Sequence, residues 1–427
     1  MIDAAQRKLI ACVVIATLMT WAAVIADLAR GGRPDPAELR AAATLLDGGW
    51  RFHTGDDPRW ANANTDDSTW ETVDLTPRPG SHDGDVGLPD YVSGWAAHGH
   101  RAYAGYAWYR RAVTVPAGHA QWDILGPTLV EDGYEIYWNG ELLGGSGKLG
   151  ANPRYVGTRP LRFALPVDTS GAHGVVAVRV FMRKRAAPGA EDGGMHSAPI
   201  LAPRPIADAL HRAQWERTIA GYIVDAIEPL AMFALVGLAS WCWPRSSEKG
   251  FLVFACIALT LTGERRLNNA ITAWTDLQDL GTYAVLAKYM WIPTLAAWTF
   301  AWNRWRGRPW RSMDVLAVVL AVATSAGTMR PWPSLTSGSR LASLALLVAI
   351  GVRIARSGPM RSLALVTLAL IIAAFFGGEL LDPIGVPGIW FPFGIGVSRT
   401  QYIYAIAIPL LAVLIVRAED GDALRGA

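Results

Sequence analysis

The chain has 427 residues, 52% of them hydrophobic and 18% charged, with a net charge of +3 and a mean hydropathy of +0.22. It is too apolar for an ordinary soluble enzyme and, in its first half, too charged for a bundle buried wholly in lipid, so two unlike parts are expected. The basic residues sit in loops between apolar runs, which explains the small positive charge without nucleic acid, and nucleic-acid binding is excluded.

Arg7 and Lys8 precede an apolar run from Ile10 to about Leu28. A cleaved signal peptide starts similarly but has a shorter apolar core, about 7 to 15 residues, followed by a small-residue cleavage site. Here the best cleavage match, Val24-Ile25-Ala26, is embedded in the run. Residues 1–30 therefore read as an uncleaved signal anchor, with a cleaved peptide as the alternative, and either delivers the downstream chain across a membrane. Residues 31–46 read as a linker leading to a short helix.

From 47 to 205 the texture changes to Trp, Gly, Pro and Asp with short alternating runs, the pattern of an all-β module. The strands expected are Trp50–His53, Thr72–Leu75, Ala107–Val115, Gln121–Leu125, Glu135–Trp138, Glu141–Leu143, Leu161–Leu165 and Gly174–Met182. Asn139-Gly140 accepts positive φ at both central positions and predicts a tight type I′ hairpin. Short strands at this spacing point to a sandwich or jelly roll.

Residues 206–218 read as a connector, and 219–417 as a membrane bundle. A helix rises about 1.5 Å per residue and the hydrocarbon core is about 30 Å thick, so about 20 mainly apolar residues are needed to cross. The candidate spans are Ile219–Trp243, Gly250–Arg266, Tyr283–Trp302, Asp314–Thr328, Leu341–Ile354, Ser362–Leu381 and Thr400–Val416, the fourth and fifth being short. Peptide groups in lipid must be satisfied internally, so each run must be helical.

Arg and Lys collect in loops that stay cytoplasmic. The loops with Arg245 and Lys249, with Arg304, Arg306, Arg308 and Arg311, and with Arg353, Arg356 and Arg361 fall on one side when every span is counted. That side is the cytoplasm, and residues 418–427 form a cytoplasmic tail. The N-terminus is then cytoplasmic and the β module extracytoplasmic, in a multi-pass protein of a bacterial inner membrane. The fold class expected is thus a multi-domain membrane protein: an N-terminal transmembrane anchor, an all-β jelly-roll sandwich and an all-α seven-helix transmembrane bundle.

The succession Gly55-Asp56-Asp57-Pro58 with Trp60, Asp66-Asp67-Ser68-Thr69-Trp70, Tyr106-Ala107-Trp108-Tyr109-Arg110-Arg111, Tyr137-Trp138-Asn139-Gly140 with Gly144, and Val176-Ala177-Val178-Arg179-Val180 resembles the galactose-binding-like jelly roll. That module is the sugar-binding domain of family two glycoside hydrolases. The complete layout resembles bacterial receptors with seven transmembrane segments and diverse intracellular signalling modules. The resemblance implies a sensor that binds a carbohydrate or another envelope ligand. It departs at the end, where those receptors continue into an output domain and this chain stops about ten residues after its last span. The partners expected are the lipid bilayer, a carbohydrate or protein ligand, and a separate cytoplasmic or membrane signalling protein. A non-signalling scaffold or accessory subunit of an envelope complex is the competing reading.

Tyr91, Trp95, Trp108 and Tyr109 are the candidate ligand-stacking residues, because an aromatic face is a flat apolar platform for a sugar ring. Core packing is the favoured reading for Trp108, inside a strand, and competes evenly with ligand binding for Trp95, in a glycine-rich loop. Asp56, Asp57, Asp66 and Asp67 read as turn closers, with a calcium site as the alternative. The eight histidines lack cysteine or acidic company, and neither a metal nor another cofactor is expected.

Ionisable residues inside membrane helices are costly and suggest function. Asp225 and Glu228 share a helical face, Glu264, Arg265 and Arg266 end the next span, Lys288 lies in the third, and Glu379 and Asp382 close the sixth. The expected topology puts all of them in the outer third of the membrane. The reading the residues favour is static pairing that only fixes helix packing, or snorkelling to the interface. The sharper one is a polar layer, with Lys288 or Arg265 paired to Asp225, Glu228 or Glu379, that reports the state of the β module. The spans contain no histidine and no G-x-S-x-G elbow, and the jelly roll leaves no length for a catalytic barrel with paired carboxylates, so no enzyme is expected.

Overall fold

The computed structural model describes residues 36–78, 86–87, 91–118, 121–151, 153, 159–184, 192–274, 289–330, 332–356, 360–386, 388–390 and 397–418. The expected anchor at 1–30, residues 419–427 of the tail, and Lys288 lie outside them.

After a short helix α1 (Pro36–Ala41), eleven strands build the N-terminal half: β1 (Thr44–Leu45), β2 (Gly49–Thr54), β3 (Glu71–Asp74), β4 (Val86–Gly87), β5 (Gly105–Thr114), β6 (Trp122–Leu125), β7 (Gly133–Trp138), β8 (Glu141–Ser146), β9 (Arg162–Ala164), β10 (His173–Met182) and β11 (Ile200–Pro203). A six-stranded sheet of order β3-β2-β5-β10-β7-β8 faces a four-stranded sheet of order β1-β11-β6-β9. Pairing within both is antiparallel. The eight strands expected from sequence are β2, β3 and β5 to β10, and Asn139 and Gly140 have φ of 50° and 94°, as a type I′ turn requires.

The core between the sheets follows from the period-two pattern: Trp50 and Phe52 of β2, and Val176, Val178 and Val180 of β10, all point inward. β5 breaks that alternation, with four consecutive buried residues from Ala107 to Arg110. Ala107 and Tyr109 face the other sheet, whereas Trp108 packs with Ala61, Trp70 and Ala177 beneath the segment that covers the outer face. β6 and β11 are buried along their whole length because α1 and the start of the next helix cover their outer side through Leu39, Leu125, Ile200, Ala207 and Leu210.

That next helix, α2 (Arg204–Cys242), starts at the residue after β11 and runs for 39 residues, about 58 Å. The segment 206–218, expected as a connector, is therefore its first part. α3 (Lys249–Trp274), α4 (Trp291–Asn303), α5 (Arg311–Met329), α6 (Pro333–Ala355), α7 (Arg361–Phe375), the single-turn α8 (Gly377–Leu380) and α9 (Arg399–Arg417) come after it. Among the described residues, packed pairs run α2–α3, α3–α4, α4–α5, α5–α6, α6–α7, α7–α9 and α9–α2, a closed ring of seven helices around one apolar core.

Among the described residues, four helices are long and apolar enough to cross a membrane: α2, α5, α6 and α9. α7 and the segment after it, bent by 92°, make a fifth if counted as one span. Seven spans were expected, and the third of them, Tyr283–Trp302, begins outside the described residues. α3 carries Glu264, Arg265 and Arg266 in one turn, and α4 has only 13 residues.

Candidate functional site: a polar layer at the end of the bundle facing the β module

The aromatic residues expected to stack on a ligand do not form an open site. Tyr91, Trp95, Trp108 and Tyr109 are 4%, 1%, 0% and 1% exposed. Trp95 is covered because the backbone of residues 91–96 pairs with 192–196, through Val92 N to His196 O at 3.0 Å and Trp95 N to Gly193 O at 2.9 Å. Gly193 and Gly194, both at positive φ, lie against the Trp95 ring and the Tyr109 hydroxyl, where a Cβ would collide. Tyr91 stacks on buried His196 at 4.9 Å, and burial pushes the Tyr109 phenol up from its ordinary value. A ring enclosed on both faces is no platform for a sugar in this conformation.

The aspartates are all engaged. Asp57 and Asp66 accept backbone N–H groups two residues on, from Arg59 at 2.9 Å and Ser68 at 3.0 Å, and the Arg59 and Ser68 side chains, helped by these N–H groups, lower both carboxyls from their ordinary value. Asp67 pairs at 2.9 Å with Arg110, a fully buried arginine that also donates to the carbonyls of Trp60 and Asn62. Asp56 pairs with Arg179, which also holds Glu135 at 3.0 Å and lies 4.2 Å over the Tyr106 ring. Sequence reasoning gives Arg110 and Arg179 no role beyond the motifs that carry the resemblance, although a charged residue inside an apolar strand marks both.

At the end of the ring nearest the β module, α2, α3, α6, α8, α9 and the turn after α8 bring charged groups together. Glu228 on α2, 7% exposed, meets Arg266 of α3 at 3.5 Å, and neither carboxylate oxygen has a hydrogen bond among the described residues. Arg266 Nη2 donates to Ser398 Oγ at 3.1 Å. Ser398 caps α9 through a reciprocal capping box with Gln401, and Gln401 Nε2 donates to Asp225 Oδ1 on α2 at 2.6 Å. Arg340 of α6 holds Glu379 through two bonds, one of 2.9 Å, and stacks 4.9 Å over Trp291. Arg399 holds Asp382 at 2.6 Å.

Asp225, Glu228, Glu379 and Asp382 thus each meet a polar partner at this end of the ring, and the partners differ from the expected ones. Arg266 takes the role assigned to Arg265, Arg340 takes Glu379, and a neutral glutamine takes Asp225. Arg265 forms no ion pair or hydrogen bond among the described residues, and Glu264 Oε2 is buried without one. Pro229 lies inside α2 and withholds the N–H that would bond the carbonyl of Asp225, which weakens the helix at this layer.

Two connections join the layer to the β module. The first is α2 itself, clamped to the smaller sheet by Arg162, which bridges Asp123 of β6 at 2.6 Å and Asp208 of α2 at 2.7 Å. Burial of Asp123 raises its carboxyl pKa against the opposing pull of Arg162 and Arg204. The second is a small sheet in which β4 pairs in parallel with β12 (Ile389–Trp390) and β12 pairs antiparallel with β13 (Val397–Ser398). β13 ends in Ser398, the cap that receives Arg266.

No family model matches the chain, and no curated protein does. Among solved structures, a β-glucuronidase of Bacteroides uniformis is 22% identical over 37% of this chain and 17% of its own, with a TM-score of 0.27. A glycosyl hydrolase family 2 member of Bacteroides cellulosilyticus is 18% identical over 38% of this chain and 20% of its own, at 0.26. A β-glucuronidase of Ruminococcus gnavus is 17% identical over 38% and 28%, at 0.28. The chain thus spans less than a third of the length of each of these structures.

Proposed function

We propose that this chain is a non-catalytic membrane receptor of the bacterial cell envelope, in which an extracytoplasmic jelly roll binds a carbohydrate or related envelope ligand and the helical bundle passes the bound state to a separate signalling partner. The observation that carries the reading is convergence. The covalent run from β11 into α2 and the strand pairing from β4 through β12 to Ser398 both end on the network of Asp225, Glu228, Arg266 and Gln401. A shift of the module relative to the ring strains both connections at one place.

Glu228 is the least satisfied member of that place, held by one long ion pair in a buried setting, and a buried polar group with few partners is the easiest to rearrange. Ligand binding moves such an equilibrium only through different affinity for its two states. The carbohydrate part of the proposal draws on the sequence resemblance to a sugar-binding jelly roll. With the four aromatics enclosed, the half-exposed group of Asp56, Glu135 and Tyr106 around Arg179 supplies the hydrogen-bonding face.

The test uses the full chain in detergent, with Cys12, Cys242 and Cys256 replaced by alanine and spin labels at exposed residues 308 and 356 of the far end. A panel of envelope glycans is screened by thermal shift, and the distance between labels is then measured with each binder. A stabilising glycan that changes the distance, with the change lost in Glu228→Gln, supports the proposal. Stabilisation with no change, or the same change in Glu228→Gln, overturns the coupling. A panel without a binder overturns the carbohydrate assignment.

A further inference from the structure

We propose that the module-facing end of the bundle contains a pocket for a small organic anion, a carboxylate or phosphate bearing a short apolar portion, with Arg265 as its main charge partner. A cavity of about 260 Å³ opens between α3, α4, α6, α7 and α9. Three guanidinium groups line it, those of Arg265, Arg266 and Arg340, and among the described residues no carboxylate does. Two of the three are committed elsewhere, Arg266 to Glu228 and Ser398, and Arg340 to Glu379 and the Phe375 carbonyl. Arg265, an exposed residue of α3 that feels Glu228 and Tyr404 only at longer range, makes no ion pair or hydrogen bond among the described residues, so its guanidinium is open to an incoming anion.

The opposite wall supplies neutral donors. Thr400 and Tyr404, four residues apart on α9, share one face and line the cavity. Tyr404 is 1% exposed, and its hydroxyl lies near Thr262 and Trp298 but meets neither at hydrogen-bond geometry. By contrast, the hydroxyls of Thr262 and Thr294 donate to carbonyls of their own helices. A buried hydroxyl left unpaired opposite a free guanidinium is the donor set that a carboxylate or phosphate satisfies. Trp291 and Phe375 form the apolar remainder of the lining, which is why an organic anion fits better than a bare one.

This site goes beyond the receptor proposal and does not depend on the ligand of the β module. It shares Arg266 and Arg340 with the polar layer, so an occupant would bias the same ion pairs.

The experiment titrates the full chain, purified in an uncharged maltoside detergent at fixed ionic strength, with benzoate, with phenyl phosphate and with dioleoyl phosphatidylglycerol, reading tryptophan fluorescence and thermal midpoint. A saturable response is expected. Saturation by the soluble anions identifies a free metabolite-like ligand, and saturation by the lipid alone identifies a headgroup. Arg265→Gln should weaken binding about tenfold to a hundredfold, and Tyr404→Phe about twofold to tenfold, whereas Arg361→Gln at the far end should change nothing. Should Arg265→Gln fail to fold, Tyr404→Phe and Thr400→Val carry the test. A response that does not saturate, or one that is equal in these variants and in Arg361→Gln, overturns the pocket.

Discussion

Arg110 illustrates how one residue organises a segment. Its guanidinium sits under the chain from Asp57 to Trp70, paired to Asp67 and bonded to backbone carbonyls that would otherwise be buried unpaired. Replacement by methionine keeps the bulk, strands those groups and should cost about 3 to 5 kcal/mol. A fall in the thermal midpoint of the detergent-solubilised chain, with weakened near-ultraviolet signal from Trp60 and Trp70, would register it. Asp123 makes a prediction of opposite sign to most carboxylates. Its native pKa is raised above the ordinary value of 3.8, so ionisation disfavours the fold, and stability falls as pH rises from about 4 through the raised value. Asp123→Asn should remove that decline. The difference in thermal midpoint between variant and parent, measured from pH 3.5 to 7, should grow in the variant's favour as pH rises. At this scale the sequence shows which residues are unusual, because a charge in an apolar run is visible. It does not show their partners, since Arg265 and Arg266 are adjacent and only the rotation of α3 decides which one meets Glu228.

The elements were legible where a strand or helix is long enough to carry its own period. β2 alternates, β5, β7 and β10 are long aromatic or β-branched runs, and the helices of the bundle follow hydropathy. β4 and β12 were illegible for a physical reason: each has two residues, too few to carry a period, and is defined by its pairing with strands distant in sequence or equally short. Their register puts Val86 opposite Ile389, so cysteines at these two positions, with the native cysteines removed, should form a disulfide under mild oxidation. A faster-migrating band reversed by reductant, absent when Val86→Cys is combined with a cysteine at exposed Val352 instead, would verify the bridge. The same locked pair should blunt any ligand-driven change at the far end if the bridge carries the signal. The buried aromatics show the limit of element-level reading. A loop position suggested that Trp95 was available, but loops can be sealed by other loops, and two glycines 98 and 99 residues downstream do the sealing.

For the whole molecule the decisive quantity is the parity of membrane crossings. Seven helices close the ring, yet four pass the length and composition test alone and a bent pair makes a fifth. α3, at 26 residues or about 39 Å, is long enough to cross but carries its charges at the module-facing end, where Glu228 and Ser398 receive Arg266. A compensated charge near an interface costs far less than one at the bilayer centre, so composition alone undercounts this helix. The far end is built differently: Arg304 pairs with Asp314 at 2.8 Å, Arg353 donates to the Asn303 carbonyl, and Ser246 Oγ donates to the carbonyl of Ala418. The exposed Arg308, Arg311, Arg356 and Arg361 lie at that same end, the distribution expected of a cytoplasmic face. If all seven helices cross, the chain at Pro203 and the chain at Ala418 lie in opposite compartments. Alkaline phosphatase joined after Pro203 should then be active, and a fluorescent protein joined after Ala418 should glow. With α3 and α4 both outside the bilayer the parity is still odd, so a third reporter is needed between them. Phosphatase joined after Trp274 should be active only if α3 crosses from the cytoplasm outward, and silence there would leave Arg265 and its cavity on the wrong side for an envelope ligand.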